Sequence, residues 1–162
     1  MAQIRLDMRE IDKVIDNDGE ATYNFLLGNK EATSFVLRVH QIFHIWDDLI
    51  DKDKEITNEE INKVFWIALV ELPEDPFYKA NYLMLKPILI NSIINWKAAN
   101  VLENEKQLDI SFVLRSSYID ILTICALIVG GLDYCDKVTP LIRKFESEEG
   151  IEEYKKSFEV KS

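Results

Sequence analysis

The sequence predicts an all-α fold. The expectation is a single helical bundle of about six helices over residues 1–162, with 140–162 as a charged C-terminal tail and one central, buried helix. Three observations point there. Glycine (5) and proline (4) are scarce in 162 residues, so elements run long and loops run short. A balance of 48% hydrophobic and 30% charged residues is that of a globular chain able to bury a true core. Apolar residues recur at helical spacing in one segment after another. Neither an internal repeat nor a long linker divides the chain, so one domain accounts for it.

The elements follow in order. Residues 4–16 place Ile4, Met8, Ile11 and Ile15 on one helical face. Asp16, Asn17, Asp18 and Gly19 read as a turn; a calcium loop there would put Val14 and Phe25 at ligand positions. A short helix over 20–28 closes at Gly28. Asn29 caps a long helix over 30–53. Its apolar face is Phe35, Val39, Ile42, Phe43, Trp46, Leu49 and Ile50. His40, His44, Asp47 and Asp51 fall on the opposite side, with Asp48 a little further round. Thr57 and Glu60 form a capping box for a helix bearing Ile61, Val64, Phe65, Ala68 and Leu69, which ends before Pro73. A helix over 76–103 contains Pro87, whose missing N–H predicts a kink. The stretch 108–135 is apolar nearly all round between Ile119 and Leu132 and is the expected central helix. Trp46, Trp66 and Trp96 sit at core-like positions and read as packing. After Pro140 the chain is rich in glutamate, which predicts a last short helix and a frayed end.

Charge and cysteine usage narrow the function. A formal charge of −10 disfavours binding to nucleic acid or to an anionic membrane and suits cations or a basic protein partner. The apolar run Ile119 to Leu132 contains Asp120 and is shorter than the roughly 20 residues of a membrane span. Cys125 reads as a small buried hydrophobe, and neither it nor Cys135 belongs to a Cys-x-x-Cys pair. The first residues, Met1 to Asp7, lack an apolar signal core, so a reducing cytoplasm is the expected location.

The chemistry concentrates in His40-Gln41-Ile42-Phe43-His44-Ile45-Trp46-Asp47-Asp48-Leu49-Ile50-Asp51. Three carboxylates at i, i+1 and i+4 repel one another unless a cation neutralises them. Asp47-Asp48-Leu49-Ile50-Asp51 resembles the first aspartate-rich motif, D-D-x-x-D, of class I isoprenoid and terpenoid synthases. That resemblance implies Asp47, Asp48 and Asp51 as Mg²⁺ ligands that grip a diphosphate-containing small molecule. The sequence departs from the family where no Arg-Arg follows the motif and where Leu127 stands in place of a second-motif carboxylate. Asp48-Leu49-Ile50-Asp51 followed by the Glu59–Trp66 segment is also similar to the paired helices of all-α nucleoside triphosphate pyrophosphohydrolases, with Lys63 in place of the last aspartate.

Two further constellations stand beside the triplet. His40 and His44, spaced i and i+4, are candidate additional metal ligands with a carboxylate as third donor. Asp120, inside the apolar helix, needs a partner; Arg115, Arg38 and Lys97 are candidates, and a second metal ligand facing the triplet is the alternative. The leading expectation is therefore a Mg²⁺-dependent diphosphate-binding protein. A nucleotide pyrophosphohydrolase and a non-catalytic acidic helical protein that binds a partner, with room for a homodimer, are the rivals.

Overall fold

A computed structural model describes residues 17–52, 54–146 and 150–159. Among these the chain is all-α, without a β-strand. The helical segments are α1 (Asn17–Phe25), α2 (Lys30–Asp51), α3 (Asn58–Trp66), α4 (Leu72–Glu74), α5 (Pro76–Ala80), α6 (Tyr82–Asn104), α7 (Leu108–Arg115), α8 (Ile119–Gly130), α9 (Leu132–Glu146) and α10 (Ile151–Glu159). A π turn, Ile67–Glu71, joins α3 to α4, and a 3-10 turn, Ser116–Tyr118, joins α7 to α8. The described residues thus make 8 helical rods, not about six. The helix expected over 4–16, and Asp53, lie outside the described residues.

Local chemistry sets most boundaries. Gly28, with φ +75°, closes the turn after α1 by donating its N–H to the Tyr23 carbonyl at 2.9 Å. Asn29 then caps α2, its Oδ1 accepting from the Ala32 N–H at 2.9 Å. Thr57 and Glu60 form both bonds of the capping box at the head of α3. Asp75, which is buried, caps α5 by accepting from the Tyr78 N–H at 2.9 Å and also takes an ion pair from Arg38 at 2.7 Å. Sequence spacing alone does not foresee that pair.

Three expectations change. Asn17 to Gly19 open α1 instead of forming a turn. The helix expected over 76–103 breaks at Asn81, where φ reaches −118°, into α5 and α6; Pro87 sits inside α6. No central buried helix forms over 108–135. Ser116 and Ser117 donate their hydroxyls back to the Phe112 and Leu114 carbonyls at the 3-10 turn, and Gly131, at φ +77°, separates α8 from α9. What remains buried is one face of α8, including Ile121, Leu122 and Cys125, while Ile110 and Val113 of α7 are exposed. Beyond Pro140, α9 continues to Glu146, so that part of the expected tail is helix.

The core forms where α1, α2, α5, α6, α8 and α9 meet. Phe35 is its fully buried anchor, stacked on Tyr78 with ring centroids 5.5 Å apart. Burying such a ring stabilises the fold by about 2 kcal/mol. The run Leu108–Gly130, 23 residues, is longer than the apolar stretch expected from sequence, and an 18-residue window within it reaches a mean hydropathy of 1.8. By length and composition it could cross a membrane; 33% of that window is buried within the fold.

Candidate functional site

The C-terminal half of α2 meets α6, α7 and α10 around one guanidinium. Arg115, at the last turn of α7, forks onto Glu103 of α6 through Nε and Nη2, the latter bond being 2.8 Å. Nη1 donates to Asp47 Oδ1 at 2.6 Å, and Nη2 also donates to Asn100 Oδ1 at 2.8 Å and Asp51 Oδ2 at 3.2 Å. Trp96 donates its indole N–H to the same Asp47 oxygen at 2.8 Å and lies under the guanidinium, 5.2 Å from ring centroid to Cζ. Burial opposes the charge on Arg115, but Glu103, Asp47 and Asp51 outweigh it and hold the guanidinium protonated well above its ordinary range.

Two carboxylates of the acidic triplet, Asp47 and Asp51, thus meet a side-chain cation. Guanidinium geometry explains why: five N–H donors in a rigid fork satisfy several carboxylate oxygens at once. Three carboxylates around one cation leave the cluster net negative.

Beside this cluster opens a cleft of about 230 Å³. His40, Phe43, His44 and Asp47 line it from α2, Trp96 from α6, Phe112 and Arg115 from α7, and Tyr154 from α10. The His40 and His44 rings lie 4.8 Å apart, and Tyr118 lies 4.8 Å from His40. Tyr154 packs against Phe112, exchanges a hydrogen bond with Ser111 at 2.7 Å and donates its hydroxyl to Glu103. Burial, then the Glu103 bond, push the Tyr154 phenol up to about 12.

Of the six residues expected to form a metal site, the structure brings His40, His44 and Asp47 to the cleft and ties Asp51 to Arg115. Asp48 turns aside toward Lys54, 3.8 Å away. Asp120 pairs with Arg143 of α9, none of its three expected partners. Among the described residues no three His, Cys, Asp or Glu groups converge as metal ligands. Asp47 and Asp51 each spend an oxygen on Arg115. The expected apolar face of α2 also changes near its end: Ile45 is buried, while Leu49 and Ile50 are exposed. Trp66 is exposed rather than packed.

Glu103 and Tyr154 are the participants that sequence reasoning missed. A lone arginine in an apolar stretch was the available signal, since such a group must find carboxylates. These features define the class: an all-α domain whose acidic motif is locked by an internal arginine. The chain matches no protein-family model, no curated protein and no solved structure.

Proposed function

We propose that the protein is a non-catalytic helical binding protein, and that its partner is a protein that lays an amphipathic helix between α2 and α3. The observation that supports this is a groove of about 230 Å³ with apolar side chains alone along it. Ile42, Ile45, Trp46 and Leu49 form one wall; Ile61, Val64, Phe65, Ala68 and Leu69 form the other. Phe65 is 60% exposed and Leu69 71%. The π turn Ile67–Glu71 lies in this wall, with Leu69 exposed within it and Leu72 after it packed against the core. Apolar grooves rimmed by helices accept a partner helix through residues at i, i+3/i+4 and i+7.

The test places a photo-reactive residue at position 69, identifies the cross-linked protein and then measures its affinity in purified form. We expect Leu69→Glu and Phe65→Glu each to weaken binding at least about tenfold while leaving helicity intact. Affinity unchanged by both substitutions overturns the groove.

The diphosphate reading keeps one supporting observation, the shared cleft of His40, His44 and Asp47. Titration calorimetry with Mg²⁺ and pyrophosphate separates the two readings. Saturable binding lost in Asp47→Asn favours the diphosphate site and opposes a purely partner-binding role.

A further inference from the structure

A second uncovered face lies on α6, away from the groove and the cleft. Its exposed positions Leu83, Pro87, Ile90, Ile94, Lys97 and Val101 repeat at alternating spacings of four and three. That is the seam by which one α-helix packs along another. The opposite face of α6, with Leu85, Ser92, Trp96 and Ala99, is buried against the protein, so the seam is additional to the helix's own packing. Adjacent α7 exposes Ile110 and Val113.

Charge identifies the occupant. The chain carries 29 Asp and Glu residues among 162, yet none lies between Pro76 and Leu102. Lys86 and Lys97, both exposed, are the charged side chains of α6 before Glu103. Lys97 makes no ion pair among the described residues. A second copy of the chain does not suit this seam. Antiparallel pairing about the middle of α6 sets Lys86 beside Lys97 of the copy, and parallel pairing sets like residues together; neither brings a carboxylate to the interface. A broad anionic lipid surface meets the −10 charge carried by the rest of the chain. A narrow helix with its own apolar seam and flanking carboxylates meets only the local cations. We propose that the α6 face docks an acidic amphipathic helix of another protein, with a carboxylate opposite Lys97 setting the register. The composition alone pointed to a basic partner; this face reverses the sign. The proposal does not rest on the α2–α3 groove.

The experiment uses the full chain and two synthetic helical peptides with the same leucine seam, one flanked by glutamate and one by lysine, read by fluorescence anisotropy. We expect the glutamate peptide to bind at least about tenfold more tightly, with the difference shrinking as salt rises. Lys86→Glu/Lys97→Glu should invert the preference, Ile94→Glu should abolish binding of both peptides, and Leu69→Glu should change neither affinity. Ile94 is 58% exposed, and the Ile94→Glu variant should keep the wild-type circular dichroism spectrum, which is the check that it folds. Equal affinity for the two peptides, or binding indifferent to Ile94→Glu, overturns the proposal. So does a dimer that Ile94→Glu dissociates, or co-sedimentation with phosphatidylserine–phosphatidylcholine vesicles in the absence of any peptide preference.

Discussion

Arg115 reaches Asp47 across 68 positions of sequence, its Nη1 donating to Oδ1 at 2.6 Å. This bond and the Glu103 fork fasten α7 to both α2 and α6. Only 17% of the Arg115 side chain meets solvent, so its removal strands three carboxylates in a partly dry cluster. Breaking a buried pair from one side costs several kcal/mol, and exposure of Asp47 at the rim moderates that here. Arg115→Met should lower stability by about 3 kcal/mol in urea unfolding. Arg115→Lys should recover little, because an ammonium cannot fork onto Glu103 while reaching Asp47. Arg115→Met/Glu103→Gln should recover part of the loss.

Tyr154 ties α10 to the same cluster and sets an alkaline limit. Its folded-state phenol titrates at about 12 against an ordinary 10.0, chiefly through burial and then through the bond to Glu103. Folding thus favours the protonated phenol. That contribution is complete below pH 10 and is lost as pH rises from 10 toward 12. The melting temperature of the wild type should fall more steeply across this window than that of Tyr154→Phe. Parallel curves would show that the phenol does not govern α10.

How much of this was legible in the sequence divides along local and long-range lines. Asn29, Gly28, Thr57 and Glu60 act on their own helix ends, within a few residues, and their roles could be read directly. The breaks at Asn81 and Ser116 could not, because neither residue type forbids helix and packing decides. The acidic triplet was expected to meet a metal ion, and two of its members, Asp47 and Asp51, meet Arg115. That partner lay in another helix, and nothing in spacing along one chain reports which arginine arrives. Asp120 carries the same lesson: Arg115 was a candidate on proximity in sequence, yet α9 delivers Arg143. For α6 the sequence offered only Pro87 and a helix over 76–103, and the fold showed which of its faces stays exposed.

The capping box at α3 gives a local test of the groove's outer wall. Thr57 Oγ1 accepts from the Glu60 N–H at 3.2 Å, and Glu60 Oε2 accepts from the Thr57 N–H at 2.8 Å. The Thr57 N–H bond, and then a bond from the Thr57 hydroxyl to the same oxygen, hold the Glu60 carboxyl below its ordinary range. Thr57→Ala should cost about 1 kcal/mol. Hydrogen exchange should accelerate in the first turn of α3 and leave α8 unchanged.

Gly130 and Gly131 adjoin at the α8–α9 corner but should respond differently to alanine. A Cβ at Gly130 runs into the Tyr134 ring, whose hydroxyl donates to the Phe25 carbonyl at 2.8 Å. A Cβ at Gly131 meets no heavy atom within 4 Å but strains a residue at φ +77°. Gly130→Ala should therefore cost about 2 kcal/mol through the clash, and Gly131→Ala about 3 kcal/mol, because its backbone at φ +77° and ψ 178° is a conformation essentially reserved to glycine. Adding Tyr134→Ala should be less harmful in the Gly130→Ala background than in wild type, since the clash has already broken the Phe25 bond. Strict additivity of the two substitutions would argue that the tyrosine moves aside without loss.

The aspartates of the motif should separate from one another when each is changed singly. In a metal site Asp47 and Asp48 act on the same ion, and losing either removes its binding. Here Asp47 holds Arg115 and Trp96, whereas Asp48 faces a Lys54 that is 65% exposed, across 3.8 Å. Asp47→Asn should then cost about 2 kcal/mol, the scale of hydrogen bonds to a charged group. Asp48→Asn should stay within about 0.5 kcal/mol, as exposed pairs do. Added Mg²⁺ should leave the melting temperature of all three proteins unchanged. A resident site filled at a hundredfold excess over its dissociation constant would instead add about 2.7 kcal/mol. A Mg²⁺-dependent rise in the wild type, absent from both variants, would return the triplet to metal chemistry and require Arg115 to swing away from Asp47 when the ion binds.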